Sequence, residues 1–101
     1  MSAQPSKRQL ERHIQTCSLV TANVAFTRHA RQRMRERMAT PAVVYEVLQQ
    51  GQLNLEPEPD LKIAGALICR MERYVSGQNW AVCVSVEWPA PGLLVITVID
   101  L

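Results

Sequence analysis

The sequence predicts an α+β fold, with N-terminal helices packed on a C-terminal antiparallel sheet of three to four strands. Apolar residues recur at helical spacing only in the first half of the chain, whereas short apolar runs between turn residues fill the second half. The chain has 101 residues, of which 48% are hydrophobic, which allows one core of ordinary size and is too few for two. We therefore expect a single domain over residues 1–101, with residues 1–5 disordered.

The first helix is predicted over residues 6–17, because Leu10, Ile14 and Cys17 recur at spacings of four and three. The other positions of this segment are mostly polar, so the helix must dock on another element to be stable. Two short apolar pieces that we expect to be extended follow it, Leu19-Val20 and Val24–Phe26.

Two further helices are predicted in the middle of the chain. Thr27 is a suitable N-cap, and residues 28–38 contain no Gly, Pro or β-branched residue. Thr40-Pro41 is a second start signal, a capping residue followed by proline at the first helical position, and Gly51 is suited to end that helix. Because almost no linker separates them, the two helices must turn sharply, and both can lie on one face of the sheet.

The remainder of the chain has the pattern of a sheet. Pro57 and Pro59 predict a loop, and turn residues then separate three apolar runs. The expected strands are residues 63–75, 80–88 and 93–101, with turns at 76–79 and 89–92. The last strand is apolar on both faces except for Thr97, which indicates a central or doubly covered position. The side chains expected in the core are Met34, Val44, Val47, Leu48, Ile68, Val82, Val84, Val95 and Ile99.

Several functional classes are not expected from the composition. The chain has no run of eighteen apolar residues and no apolar segment after its basic N-terminus, so we expect neither a membrane span nor a secretory signal. Cys17, Cys69 and Cys83 form no CxxC pair and have no zinc-ligand spacing. We therefore expect no metal, no cofactor and a reducing, cytoplasmic setting.

The net charge of +2 hides an asymmetry between the two parts of the chain. Residues 1–38 carry eight of the eleven basic residues and only two acids, whereas residues 39–101 carry three basic residues and seven acids. A basic half on an otherwise acidic chain favours an anionic partner, of which nucleic acid is the commonest. The alternative is that these charges only solvate the helices.

The basic residues of the second predicted helix form two rows. At about 100° per residue, Ala30, Met34 and Met38 fall on one apolar stripe. One flank of this stripe carries His29, Arg33 and Arg37 at intervals of four residues. The other flank carries Arg28, Arg31 and Arg35. Side chains four residues apart are neighbours on a helix, so His29 and Arg33 are close enough to bind one anion together.

This combination suits phosphate chemistry. An arginine fork holds two phosphate oxygens, and a histidine of near-neutral pKa moves a proton. We expect His29 and Arg33 to be half-buried, with their polar tips turned towards Thr97 in the last strand. The structural alternative is that both tips lie in open solvent, or that Arg33 is held in an ion pair by Glu36 or Glu87.

The same helix carries a family resemblance. The stretch FTRHARQRMRERMATPAVVYEVLQQG, followed by strands that end in ITVI at residues 96–99, resembles a widespread bacterial domain of unknown function, the family numbered 4258. The resemblance covers residues 24–101 and leaves the first helix outside it. The departure is Met38-Ala39, where the family usually has a Gly-Ile turn. In element order this family is similar to RelE/ParE-like and barnase-like ribonuclease toxins, which is an analogy between folds.

Two functional hypotheses follow. The first is a metal-independent ribonuclease of toxin type, in which His29 moves a proton, Arg33 and Arg37 hold the phosphate, and Thr97 positions it. This mechanism also needs a second proton-transfer group, for which the candidates are Tyr45, Glu72 and Glu87. A toxin of this type would have an antitoxin as its partner. The second hypothesis is a non-catalytic regulatory or toxin-neutralising module, in which the same two basic rows, including Arg28, Arg31 and Arg35, contact nucleic acid or an acidic protein surface. Dimerisation through a sheet edge or the first helix is a further alternative.

Overall fold

The computed structural model describes residues 4–101, so the disorder expected at the N-terminus falls mostly on residues outside the described ones. The described part contains three α-helices and six strands in the order α, β, α, α, followed by five strands. Their bounds are α1 Lys7–Cys17, β1 Val24–Phe26, α2 Arg28–Arg37, α3 Pro41–Gln50, β2 Gln52–Leu53, β3 Glu58–Pro59, β4 Leu67–Val75, β5 Gln78–Val86 and β6 Leu93–Asp100. The predicted fold class is confirmed, with more strands than the three to four expected. None of the helices in residues 4–101 is long and apolar enough to cross a membrane.

Each helix begins at a hydroxyl side chain that accepts a backbone N–H. Ser6 caps α1 and, together with Gln9, forms a reciprocal capping box. Thr27 caps α2 and Thr40 caps α3. The expected starts are therefore correct, because these residues satisfy donors that a helix leaves unpaired at its N-terminus.

The turn between α2 and α3 forms without a glycine. Met38 adopts the left-handed conformation with φ 57° and ψ 35°. Its N–H donates to the Arg35 carbonyl, and the Ala39 N–H donates to the Met34 carbonyl at 2.8 Å. This pair of hydrogen bonds is a Schellman motif, which usually places glycine at the position of Met38. Met38 therefore adopts a backbone conformation that glycine usually occupies.

The strands form one mostly antiparallel sheet in the order β1-β6-β5-β4-β2, with β3 also paired to β4. The exception to the antiparallel pattern is β1, which pairs with β6 in parallel. Pro57 and Pro59 were expected to lie in a loop; Pro59 instead belongs to the two-residue strand β3, and Pro57 lies between the short strands β2 and β3. Leu19-Val20, expected to be extended, lies in an exposed turn and is not a strand.

The hairpin between β4 and β5 is tighter than the sequence indicated. Val75 pairs with Gln78, so Ser76 and Gly77 alone form the loop. Both have positive φ, 50° and 88°, as a type I′ turn requires. The strands therefore extend further towards the turn than the expected boundary at Trp80.

A bulge in β6 decides which side chains enter the core. Val84 pairs with Val95 and Cys83 pairs with Thr97, so Ile96 is an extra residue in β6. Val98, rather than Ile99, then lies on the face with Val95 and is buried. Ile99 and Ile68 were expected in the core. They lie instead on the opposite face, opposite Ala81 and Ser85, and are half-buried.

One hydrophobic core lies between the helices and the face of the sheet that carries Val82, Val84 and Val95. Leu48 of α3 is fully buried in it, as are Leu10 and Ile14 of α1. The remaining predicted core residues, Met34, Val44 and Val47, are buried as expected. The first helix is thus an integral part of this core.

Candidate nucleic-acid interface

The basic helix α2 lies alongside the last strand. At its start, the Thr27 hydroxyl donates to the Ile96 carbonyl at 3.2 Å, and the Thr27 N–H donates to the Val95 carbonyl at 3.0 Å. At its end, Arg37 binds Asp100. Therefore α2 occupies the part of the β6 edge that β1 does not cover, and one long side of the helix faces away from the sheet.

The apolar stripe of α2 is shorter than predicted. Ala30 and Met34 are buried, as expected for core positions. Met38 is 88% exposed, because the left-handed turn takes it off the helix before it reaches the core. Ala39, the next residue, is buried in its place.

The flank formed by His29, Arg33 and Arg37 is largely engaged by carboxylates. Arg33 Nη1 lies 2.7 Å from Oε1 of Glu36, and Arg37 Nε lies 3.0 Å from Oδ1 of Asp100. The hydrogen bond from Arg33 is the main reason that the pKa of Glu36 is below its usual value, with a smaller contribution from Gln32. The structural alternative foreseen for Arg33, an ion pair with Glu36, is the arrangement present.

The structure does not join this flank to Thr97 in one site. Because of the bulge, Thr97 lies on the face of the sheet opposite the core, facing the same way as Cys83. Within residues 4–101, no hydrogen bond links Thr97 to His29 or Arg33. His29 is exposed, rather than half-buried as expected.

The arginines of the opposite flank of α2 are not paired with carboxylates of residues 4–101. Arg28, Arg31 and Arg35 are all exposed, and none of them lies within ion-pair distance of a carboxylate of residues 4–101. Arg31 rests on the ring of Phe26, with its guanidinium carbon 5.1 Å from the ring centroid. Phe26 in turn packs edge-to-face on Tyr45 of α3. This aromatic support holds one cation in place without neutralising it.

The two arginines of the sheet are both paired with carboxylates. Arg70 and Arg73, which project from the sheet, are paired with Glu72 and Glu46. The exposed arginines without an acidic partner in the described chain are on helices: Arg8, Arg12, Arg28, Arg31 and Arg35. The exposed arginines of the basic half therefore form a basic surface, although Lys7 and Arg37 are paired with Glu56 and Asp100 of the acidic half.

The N-terminus of α2 adds partial positive charge to this basic surface. Its first turn contains no acidic residue, and its first two residues are Arg28 and His29. Helix N-termini carry a partial positive charge and usually attract acidic side chains. Here Arg28 occupies that end, so an external anion would be stabilised by the helix and by Arg28 together.

The candidates for a second proton-transfer group lie elsewhere. Tyr45 packs on Phe26, and Glu72 is held by Arg70 and Asn54. Glu87 is exposed after the end of β5. The carboxylate on the same flank as His29 is Glu36, which sequence reasoning treated only as an ion-pair partner. Its spacing, seven residues from His29 and three from Arg33, was the signal that pointed to it.

The site gives no indication of a metal centre. Among residues 4–101, no three His, Cys, Asp or Glu side chains converge in a way that could hold a metal ion.

A family model matches most of the chain. The model of the family described as a domain of unknown function, DUF4258, matches residues 26–100, from the end of β1 to the end of β6. The match includes the whole of α2 and leaves α1 outside. No curated protein and no solved structure matches the chain significantly.

Proposed function

The chain belongs to the DUF4258 family, and we propose that it binds nucleic acid, with RNA as the first ligand to test, through the outer side of α2. The observation that carries this proposal is the row of Arg28, Arg31 and Arg35, exposed and without carboxylate partners in the described chain. Cations that are already paired gain little from a phosphate, whereas unpaired ones release counterions from the nucleic acid when they bind. The proposed role is contact with the sugar-phosphate backbone, which fixes position without reading sequence.

The test is the salt dependence of binding. Fluorescence anisotropy of a labelled 20-nucleotide single-stranded RNA should give a log K against log salt slope that falls in magnitude by about 2 in the variant R28A/R31A/R35A, at about 0.7 per phosphate contact. The matched control is R28K/R31K/R35K, which keeps the charges and should keep the slope. An unchanged slope in the alanine variant would refute the proposal, as would absence of binding by the native chain.

An acidic protein surface, such as that of an antitoxin, is the alternative ligand for the same face. Competition tests whether such a protein uses this face. Excess RNA should displace a protein that is bound to Arg28, Arg31 and Arg35, and it should not displace a protein that binds elsewhere. A second copy of the chain is tested by sedimentation at several protein concentrations.

Metal-independent RNA cleavage is the second candidate function, and the position of Glu36 favours it. His29, Arg33 and Glu36 lie along one flank, with the arginine between the two titratable groups. Seven residues separate His29 from Glu36, which is about 10 Å along the helix axis, a distance that two side chains can bridge around one phosphate. In this arrangement the phosphate takes the place of the Glu36 carboxylate on Arg33.

Glu36 and His29 divide the two proton transfers between them. Glu36 takes the proton of the 2′-hydroxyl, whose oxygen attacks the adjacent phosphorus, and protonated His29 gives a proton to the departing 5′-oxygen. The products are a 2′,3′-cyclic phosphate and a 5′-hydroxyl end. A phosphate that displaces Glu36 from Arg33 also removes the main cause of the lowered pKa of Glu36, and so makes it a stronger base.

Cleavage is tested in EDTA with an RNA that carries a fluorophore at each end. His29→Gln and Glu36→Gln should each abolish cleavage while leaving the salt slope of binding intact. A 2′-deoxy substitution at the cleaved position should protect the substrate. Cleavage that survives both substitutions would exclude this centre, and binding without any cleavage would leave the non-catalytic function alone.

A further inference from the structure

A second feature suited to nucleic acid lies away from α2, around Trp88. The chain has two tryptophans, and they differ in environment: Trp80 is 6% exposed in the core, whereas Trp88 is half-buried just after β5. The end of β5 lies beside the start of β6, whereas the C-terminal end of α2 lies beside Asp100 at the end of β6. Trp88 is therefore at the opposite end of the sheet from the last turn of α2.

The indole is held in place by α1. Nε2 of His13 lies 2.9 Å from the Ala90 carbonyl oxygen, to which it donates a hydrogen bond. The His13 ring meets the Trp88 ring edge-to-face, with centroids 5.0 Å apart and planes at 63°. His13 thus joins α1 to the segment after β5 and fixes the orientation of the indole, so that little side-chain entropy is lost when a ring stacks on it.

The nearby thiol does not form a nucleophilic pair with this histidine. The Cys17 sulfur lies 3.7 Å from Nδ1 and 3.6 Å from Nε2, so it sits over the ring and not along the lone pair of either nitrogen. Burial raises the pKa of the Cys17 thiol, which favours the neutral form. Cys17 therefore only packs beside the His13 ring and is not a reactive group.

Clefts lie on two sides of the indole. One, of about 290 Å³, lies against α1 and is lined by Gln9, Arg12, His13, Thr16 and Cys17 with Trp88. The other, of about 480 Å³, is lined by Trp88 with Gln4, Pro5, Pro59, Asp60, Gly65, Ala66, Leu67 and Pro89. An indole between two open clefts offers ring surface to a flat ligand.

Cations border the first cleft. Arg12 lines it, and Arg8 lies one helical turn before Arg12 on the same side of α1. Both are exposed and have no carboxylate within ion-pair distance among residues 4–101. A fixed aromatic ring beside unpaired arginines is the combination that binds single-stranded nucleic acid, where unstacked bases pack on the ring and arginines contact the backbone.

We propose that Trp88 and Arg12 form a stacking site for one unpaired base and its phosphate, so that the chain selects single-stranded over duplex nucleic acid. This inference rests on the proposed nucleic-acid binding by α2 and names the class of strand that is bound. Duplex bases are stacked on each other and do not offer their faces to Trp88, whereas the arginines of α2 contact the phosphates of either form.

The experiment measures binding of one 20-nucleotide sequence as single-stranded RNA, as single-stranded DNA and as RNA duplex. Trp88→Ala should weaken binding of both single strands by about 5- to 150-fold and leave duplex binding unchanged, since one stacked base contributes about 1–3 kcal/mol. Trp88→Phe, which keeps a ring, should recover most of the loss. Tyr74→Ala is the control, because Tyr74 is a 63% exposed aromatic residue on the other face of the sheet.

A direct measurement guards against a folding defect. In a Trp80→Phe variant the tryptophan emission comes from Trp88 alone, and single-stranded RNA should quench it. Absence of quenching, or equal affinity of Trp88→Ala and the native chain for single strands, would overturn the stacking site. If the native chain binds the RNA with a slope that depends on α2 and Trp88 is not quenched, only this inference fails. If the native chain binds neither strand form, the proposed function fails with it.

Discussion

The left-handed turn at Met38 gives the sharpest test of how the sequence encodes the fold. An L-residue in this conformation costs roughly 1–2 kcal/mol, because its Cβ crowds the following carbonyl oxygen. Glycine removes this cost, but it is more flexible in the unfolded chain, and this offsets about 0.5–1 kcal/mol of the stabilisation. The Met38 side chain is 88% exposed, so its removal loses almost no packing. Met38→Gly should therefore raise the free energy of unfolding by about 0.5–1 kcal/mol.

Urea denaturation followed by circular dichroism measures this difference, and calorimetry should show a rise in Tm of roughly 2–8 °C for a chain of this size. Met38→Ala is the matched control: it keeps the Cβ and should be as stable as the native chain. Met38→Val, with a β-branched side chain, should be less stable than either. If Met38→Gly is no more stable than Met38→Ala, then Met38 is not strained and the reasoning is wrong.

Three further predictions concern the core and its edges. Leu48→Ala should lower the free energy of unfolding by about 2–5 kcal/mol in urea denaturation, because Leu48 is fully buried; a variant of native stability would contradict its place in the core. The hydrogen bond from the Ser85 hydroxyl, at 2.7 Å, is the main cause of the lowered pKa of Asp60. The stability that ionised Asp60 contributes is therefore fully present above the pKa of Asp60 in the unfolded chain, and it is lost as the pH falls through the pKa of Asp60 in the folded chain. Ser85→Ala should raise the pKa of Asp60 in an NMR titration, and an unchanged titration would show that this bond is not the cause. Burial raises the pKa of Cys69 to about 12, so Cys69 should resist alkylation at pH 8 until the chain is unfolded, as judged by mass spectrometry of the labelled peptides.

The parts of the fold that are encoded locally were predictable. Thr27 and Thr40 identify helix starts because a cap depends on a side chain and the three residues after it. The buried face of α3 follows from the spacing of its apolar residues, and Leu48 lies on it. The family resemblance, carried mainly by α2 and α3, is confirmed for the same reason: these residues are close in sequence.

The parts that depend on pairing between distant residues were not predictable. The alternation in β6 suggests one face with Val95 and Ile99, and nothing in the strand itself reveals the bulge opposite Cys83 and Val84 that moves Ile99 and Thr97 to the other face. The exposure of His29 and the ion pair between Arg37 and Asp100 likewise depend on where α2 lies against β6. A helical wheel gives the relative directions of these side chains, but it does not give the surface that they meet.

The parallel pairing of β1 with β6 sets the order in which the protein can complete its fold during synthesis. Residues 24–26 have no strand to join until residues 93–95 have left the ribosome, and α2 follows β1 directly. A nascent chain that lacks β6 leaves the apolar stripe of α2 without its partner, while α1, α3 and the β4–β5 hairpin already have theirs in place. The contacts of the basic helix with β6 therefore cannot form before β6 has been synthesised, and they join residues far apart in sequence, which slows folding.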